Sequence, residues 1–304
     1  MKKIIIIGLG NMGVAHLNSF INSKIEAQLY LIEKRISRHK NIKKILLKKK
    51  FNNFQLLNKS PKNKLFDFAI VATKSKDRLK AVEKLISSNK IRFLFLEKFL
   101  FNELVHYKKF NSIGRKKITK TFVNVWSNLF LNSLGIKKNK KKILIKVFLP
   151  ENKLLTNLIH FYEIFRILVG EKFNIDLSYF NLKQKDKYYY DGTGKIILEN
   201  KMGSQMVIKS KKMENNFIFN YKSCGFEKKV KISKGQIISL YNENKKKLPF
   251  PLASRVTNKF YKSLILNKKS GEKITFPKYS LIEKSSKIIL NSLFYKYKKK
   301  IKIC

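Results

Sequence analysis

The chain has 304 residues, 44% of them hydrophobic, enough to bury one large core or two smaller ones. No apolar run approaches the ~18 residues that a membrane-spanning helix needs. The formal charge of +49, from 68 Lys+Arg against 19 Asp+Glu, invites a nucleic-acid or membrane reading, yet only seven of the basic residues are arginine, the side chain best matched to phosphates and bases.

The lysines are spread along the whole length among abundant asparagine and isoleucine, as a biased codon supply would deposit them on any solvated surface. An anionic partner or substrate is the alternative. The two cysteines, Cys224 and Cys304, form no framework and fit a reducing cytoplasm. The opening MKKIIIIG has only four isoleucines before glycine, too few for a signal peptide, so a soluble cytoplasmic protein is expected.

In chain order, KIIIIG (3–8) predicts a buried strand and residues 11–23 an amphipathic helix. A strand follows at 28–33, then a lysine-rich helix to about residue 50 and a weak strand at 53–57. DFAIVAT (67–73) is a strong strand, 76–88 a helix and RFLFLE (92–97) another strand. Strands that are apolar on both faces and alternate with helices predict an α/β domain with a doubly wound parallel sheet over residues 1–120.

Beyond 120 the rhythm changes. Strands are expected at 121–126 and 142–149, and a long helix over 152–170 closed by Gly170. From 173 to 240 successive strand-like runs, separated by turn signals such as DGTG and SCG, suggest an antiparallel meander. Two closing helices follow, and the end YKYKKKIKIC is taken as a frayed basic tail, a membrane-surface role for it being the weaker alternative. Residues 121–304 thus form a second α/β domain with an open, mostly antiparallel sheet.

The turn GLGNMG (8–13) joins the first strand to the first helix. Gly8 makes the tight turn, Gly10 lets the backbone approach a pyrophosphate, and Gly13 allows close helix–strand packing. Asn11 and Met12 lie between them at the helix start, whose dipole favours an anion. Glu33, twenty residues beyond Gly13 at the end of the second strand, is placed to accept from adenosine ribose hydroxyls, which favours NAD; Lys34 and Arg35 next to it could instead reach the 2′-phosphate of NADP.

These residues carry a resemblance. GLGNMG with His16 soon after, Ala72-Thr73 at one strand end and Glu97-Lys98 at the next look like the Gfo/Idh/MocA oxidoreductases. The resemblance implies a Rossmann domain followed by an α/β domain with an open antiparallel sheet, NAD or NADP as cofactor, and a sugar or polyol as substrate. It places Lys98 beside the nicotinamide and His160 opposite it as the catalytic pair, with Thr73, Arg78 and Glu97 lining the cofactor cleft. The stretches ATKSKDR (72–78), EKFLF (97–101), TNLIH (156–160) and PFPLASRVT (249–257) are similar to a subgroup from bacterial surface-sugar pathways. A homo-oligomer formed through the exposed sheet is also implied.

Two departures matter. Phe99 replaces the family's proline, whose preceding bond is often cis; since a cis bond before a non-proline residue costs about 3 kcal/mol, a trans bond and a displaced Lys98 are expected. Thr156 stands where many members carry an aspartate that assists the histidine, so a catalytically weakened binding protein is the rival reading. Each site residue also has an ordinary alternative. Glu97-Lys98 could be a surface pair and His160 a core histidine, while Asn124, Trp126, Asn157 and the tyrosines 188–190 could pack in the core or on an edge rather than line a sugar site. His16 is expected to pack near the phosphate turn, and His39 and His106 have no evident partner. No spacing suggests a metal.

Overall fold

Why six short runs of Ile, Leu and Phe should share one sheet is plain in the computed structural model, which describes residues 1–114, 116–138, 141–212, 216–233, 235–240, 247–250, 253–265 and 276–303. Strands β1 (Lys2–Ile7), β2 (Ala27–Ile32), β3 (Phe54–Leu57), β4 (Leu65–Val71), β5 (Lys90–Leu96) and β6 (Ile118–Val123) are all parallel, in the order β3-β2-β1-β4-β5-β6. Ile4, Ile5, Ile6, Phe68, Ala69, Ile70, Leu94, Phe95 and Leu96 are fully buried, as a sheet covered on both faces requires. This is the doubly wound order with its topological switch between β1 and β4.

The connecting helices are α1 (Asn11–Asn22), α2 (His39–Lys48), preceded by a 3₁₀ turn at Ile36–Arg38, α3 (Ser75–Ile86) and α4 (Leu104–Gly114). The chain divides into two compact units, 1–124 with 252–283, and 125–251 with 284–304. The sequence suggested one boundary at 120, with everything after it in a second domain. The return of 252–283 has an aromatic cause. Phe260 and Tyr261, on the helix Ala253–Ile265, and Phe276 pack with Phe68 and Phe95 at ring-centroid distances of 4.9–6.4 Å. Burying each such ring contributes about 2–3 kcal/mol. That outweighs any preference of the segment for its sequence neighbours.

In the second unit, α5 (Ser127–Ser133), β7 (Ile143–Pro150) and α6 (Leu154–Val169) precede β8 (Asn174–Asp176), β9 (Phe180–Gln184), β10 (Tyr190–Glu199), β11 (Gln205–Lys211), β12 (Phe217–Ser223), β13 (Phe226–Ser233), β14 (Gln236–Ser239) and β15 (Lys247–Pro249). The first unit's returning helix is α7, and α8 (Tyr279–Tyr297) is divided between the units at residue 283. The sheet order is β15-β14-β13-β12-β7-β11-β10-β8, with β9 paired to β10. It is not a simple meander: β7 inserts between β11 and β12, parallel to β11 and antiparallel to β12. Ile143, Ile145, Val147 and Leu149 are buried while Leu144 and Lys146 are exposed, the alternation of a sheet covered on one face.

Two expected features resolve differently. DGTG (191–194) is not a turn but the start of β10. Its glycines permit close approach of β9, since a Cβ at Gly192 would lie 2.3 Å from the Asn181 carbonyl oxygen and one at Gly194 2.2 Å from that of Tyr179. The C-terminal end is not frayed: Ile301 and Ile303 are buried, and the Lys302 carbonyl accepts from the Tyr190 N–H at 2.8 Å. Alternating Ile and Lys let the tail bury one side and solvate the other. Residues 251–252 of the closing stretch and Cys304 lie outside the described residues. No described helix is long and apolar enough to cross a membrane.

Candidate functional site

The glycine turn is built to stay open. Gly8 has φ +86°, a conformation disfavoured for residues with a Cβ, and a Cβ there would press on Thr73 at 3.0 Å. At Gly13 a Cβ would lie 1.9 Å from the Gly8 carbonyl oxygen, so only glycine lets α1 start this close to β1. Beside Gly10 the space is free out to the Arg38 Nη1, 3.7 Å from such a Cβ. Among the described residues no side chain caps the N-terminus of α1, and no acidic residue lies in its first turn; Asn11 and Met12 are exposed. The first N–H groups of the helix therefore face outward with a positive dipole, fit for a pyrophosphate. The Thr73 hydroxyl is buried with no hydrogen-bond partner among the described residues, a polar atom at the turn suited to a ligand.

Glu33, just beyond β2, is only 5% exposed. One carboxylate oxygen accepts from the Leu9 N–H at 3.1 Å, and the other from the Arg35 N–H at 3.0 Å and Arg35 Nε at 3.4 Å. Its carboxylate thus ties the glycine turn to the loop after β2. Arg38 donates to the Leu9 carbonyl at 3.3 Å, and His39, expected to lack a partner, donates through Nε2 to the Glu33 carbonyl at 2.8 Å.

At the tip of β5 the sequence expectation needs correcting. The Lys98–Phe99 bond is cis although Phe99 is not proline. The surroundings hold that turn: Phe99 is buried, and the Arg78 guanidinium donates to the carbonyls of Phe99, of Leu100 at 2.9 Å and of Thr73 at 2.6 Å. Arg78 is 2% exposed, so its place is in the loop scaffold joining the β4 and β5 tips. Lys98 is half-buried.

Glu97 points inward, 4% exposed. Its Oε1 lies 2.5 Å from His16 Nε2 and accepts from Asn124 Nδ2 at 2.7 Å. His16 Nδ1 is 2.8 Å from the Tyr261 hydroxyl. Burial pushes the Glu97 carboxyl up, but the bond and charge of His16, the Asn124 bond and the Arg78 charge together outweigh it and hold the group below its ordinary 4.5. Asn124, a candidate sugar contact, is therefore buried against Glu97. His16 does more than pack near the turn.

The second unit holds the remaining candidates. His160, on α6, is 2% exposed and stacks on Trp126 at 4.2 Å, with Phe161, Phe217 and Phe250 around the indole. Asn157 Nδ2 donates back to the Lys153 carbonyl at 2.9 Å. Tyr189 is buried and Tyr188 is 43% exposed.

One residue escaped the sequence reading, Asp191. Fully buried, it accepts from the N–H groups of Leu155 at 2.8 Å and Thr156 at 3.2 Å, and from the Thr156 hydroxyl at 2.6 Å. It caps α6 from a distant strand. Its only sequence signal, an Asp before Gly, had the look of a turn.

No protein-family model matches the sequence, and no curated protein shows significant sequence similarity to it. Solved structures do share the fold. The dehydrogenase MviM from Clostridium difficile superposes with a TM-score of 0.67 at 12% identity, over 97% of this chain and 99% of that one. WlbA dehydrogenase from Bordetella pertussis, solved with NADH and UDP-GlcNAcA, gives 0.64 at 11% identity over 100% and 99%. Myo-inositol dehydrogenase from Lactobacillus casei, solved with NAD(H) and myo-inositol, gives 0.63 at 15% identity over 99% and 95%. The architecture, a Rossmann-like parallel sheet with a second, mostly antiparallel sheet, is that of these dehydrogenases.

Proposed function

We propose that this chain is an NAD(P)-dependent oxidoreductase that moves a hydride to or from a hydroxyl or keto carbon of a sugar or nucleotide-sugar, in cell-surface glycan synthesis. The observation that carries the reading is the open glycine turn in the same unit as Lys98, both at carboxyl ends of strands of one parallel sheet, β1 and β5, with β4 between them. Ligands of such sheets bind outside the carboxyl ends of the strands, at the switch point.

A bound nicotinamide supplies the hydride acceptor or donor. Gly8, Gly10 and Gly13 with the N–H groups of Asn11 and Met12 hold the phosphates, and Thr73 offers its hydroxyl. Glu33 and Arg35 face the adenosine end, where Glu33 first suggests NAD. Lys98 polarises the reacting oxygen and takes up or returns its proton. His160 is assigned a part in that proton transfer by resemblance alone, and Trp126 and Asn157 are assigned to the sugar on the same ground. The exposed sheet face around Leu144 is the proposed contact between copies of the chain.

The test is NADH and NADPH binding by fluorescence, then turnover on a panel including myo-inositol and UDP-sugars. Failure of both nucleotides to bind overturns the reading. Binding without turnover favours the second reading, a weakened enzyme that keeps the fold to bind cofactor or sugar. The burial of His160 beneath Trp126, and the engagement of the Thr156 hydroxyl by Asp191, support that alternative.

A further inference from the structure

We propose that the exposed face of α8 and the C-terminal segment after it form a ridge that docks this chain on an anionic lipid surface. All of the residues concerned belong to the second unit, and none belongs to the proposed nucleotide site.

From residue 284 onward α8 buries one side and leaves bulky apolar groups in water on the other. Ile289, Leu290 and Leu293 are buried, whereas Ile288, Phe294 and Tyr295 are 44%, 48% and 69% exposed. Ile288 and Tyr295 are seven residues apart, two turns along one helix face, and the exposed Lys284 lies one turn before them. Phe294 and Tyr295 stand side by side, 6.3 Å between ring centroids. A helix whose core-facing side is already buried does not need these groups for its own packing, so they mark a surface fit for an apolar partner.

The charge around them has one sign. Residues 284–304 hold seven lysines, no arginine and no acidic residue. The ridge is also built rather than loose. Ile301 and Ile303 are buried and the Lys302 carbonyl accepts from the Tyr190 N–H, which anchors the chain beyond the exposed Lys298 and Lys299. Lys299 Nζ lies 4.9 Å over the Tyr190 ring and Lys298 Nζ 6.0 Å over that of Tyr295. At the same end of α8, Tyr297 donates to the Phe180 carbonyl at 2.6 Å and Lys296 to that of Leu177. These bonds bring up Tyr179, 59% exposed, with Lys195 Nζ 3.8 Å over its ring. Asp176, which feels the charges of Lys296 and Lys195, is already bonded by the Ser178 N–H at 2.7 Å.

Exposed rings set among ammonium groups fit the boundary of a bilayer. There the rings lie at headgroup level, while lysine stems run along apolar surface and carry their charge to the lipid phosphates. Each lysine near an anionic leaflet adds to the attraction. A nucleic acid would take the same charge but offer Ile288 and Phe294 nothing to bury against, and the segment lacks the arginine that reads phosphates and bases best. A second copy of the chain, meeting this face with its own, would set like charges together.

The experiment is flotation of the intact chain with phosphatidylcholine vesicles, with and without about 30% phosphatidylglycerol, in about 0.1 M salt. Binding to the anionic vesicles alone is expected. Phe294→Ser with Tyr295→Ser should weaken it about tenfold, and Lys284→Gln with Lys298→Gln and Lys299→Gln about 10–100-fold. Because the whole chain carries +49, bulk attraction must be told apart from the ridge. Lys43→Gln with Lys44→Gln and Lys48→Gln removes the same charge from exposed positions of α2 and should stay within about threefold of wild type. If the aromatic pair proves necessary for folding, Ile288→Ser carries the same test. Absence of wild-type binding, equal losses in the two lysine variants, or full binding by the folded aromatic variant overturns the proposal. Full binding by that variant together with undiminished binding of duplex DNA would identify a site for soluble polyanions instead.

Discussion

The two units use buried carboxylates in opposite ways. In the parallel sheet, Glu33 and Glu97 sit just past the carboxyl ends of β2 and β5, tying glycine turn, loop and strand tip together. In the second unit Asp191 lies within β10 and caps α6, and Glu163 lies mid-helix, paired with Arg166 at 2.9 Å and bonded by Ser285. A sheet apolar on both faces leaves polar groups a place only at its ends, where ligands also bind. In the second sheet a carboxylate near the start of a strand is buried outright, because the N–H groups of a helix end satisfy it.

The sharpest way to break this contrast is at the strand tip. Lys98→Ala should slow turnover by about 10²–10⁴-fold while NADH affinity is kept, measured on whichever panel sugar supports wild-type activity. Next are the glycines. Gly13→Ala drives a methyl into the Gly8 carbonyl and should destabilise by about 2 kcal/mol or more in a denaturant titration. Gly10→Ala meets only ordinary contact and should melt like wild type, yet bind NADH about tenfold more weakly because the methyl occupies the phosphate approach.

In the second unit, Asp191→Ala removes the cap of α6 and should cost about 2 kcal/mol of stability. NADH affinity should be untouched; a parallel loss of NADH binding would contradict a purely structural role. The smallest effect is in acid. Because the Glu97 carboxyl is held below 4.5, its contribution is complete above that value and is lost as pH falls through the folded value. Glu97→Gln should therefore melt about 3–6 °C below wild type at neutral pH, with the gap closing as the pH falls through the folded value. A gap constant with pH would show that the charge of Glu97 adds nothing.

Much of the first unit was legible because local pattern and tertiary role coincide there. KIIIIG, DFAIVAT and RFLFLE could be nothing but buried strands, and GLGNMG with Glu33 marks its own turn. What lay hidden depended on partners far away in sequence. Arg78 looked like a cleft residue because nothing local reveals three carbonyls waiting for its guanidinium. Asp191 looked like a turn because its helix partner is 36 residues away. His16 looked like packing because Glu97 and Tyr261 stand 81 and 245 residues away.

Periodicity and glycine spacing by themselves determined the strands of the parallel sheet and the helix after the glycine turn. These depend on φ/ψ preferences and on side-chain burial repeating every two or 3.6 residues, both written locally. Only the tertiary structure decided that 252–283 returns to the first unit, that β7 inserts between β11 and β12, and that Glu97 is buried against His16. Those outcomes follow from aromatic burial and from satisfying buried charge, energies that belong to pairs of distant residues and leave no mark at either position alone.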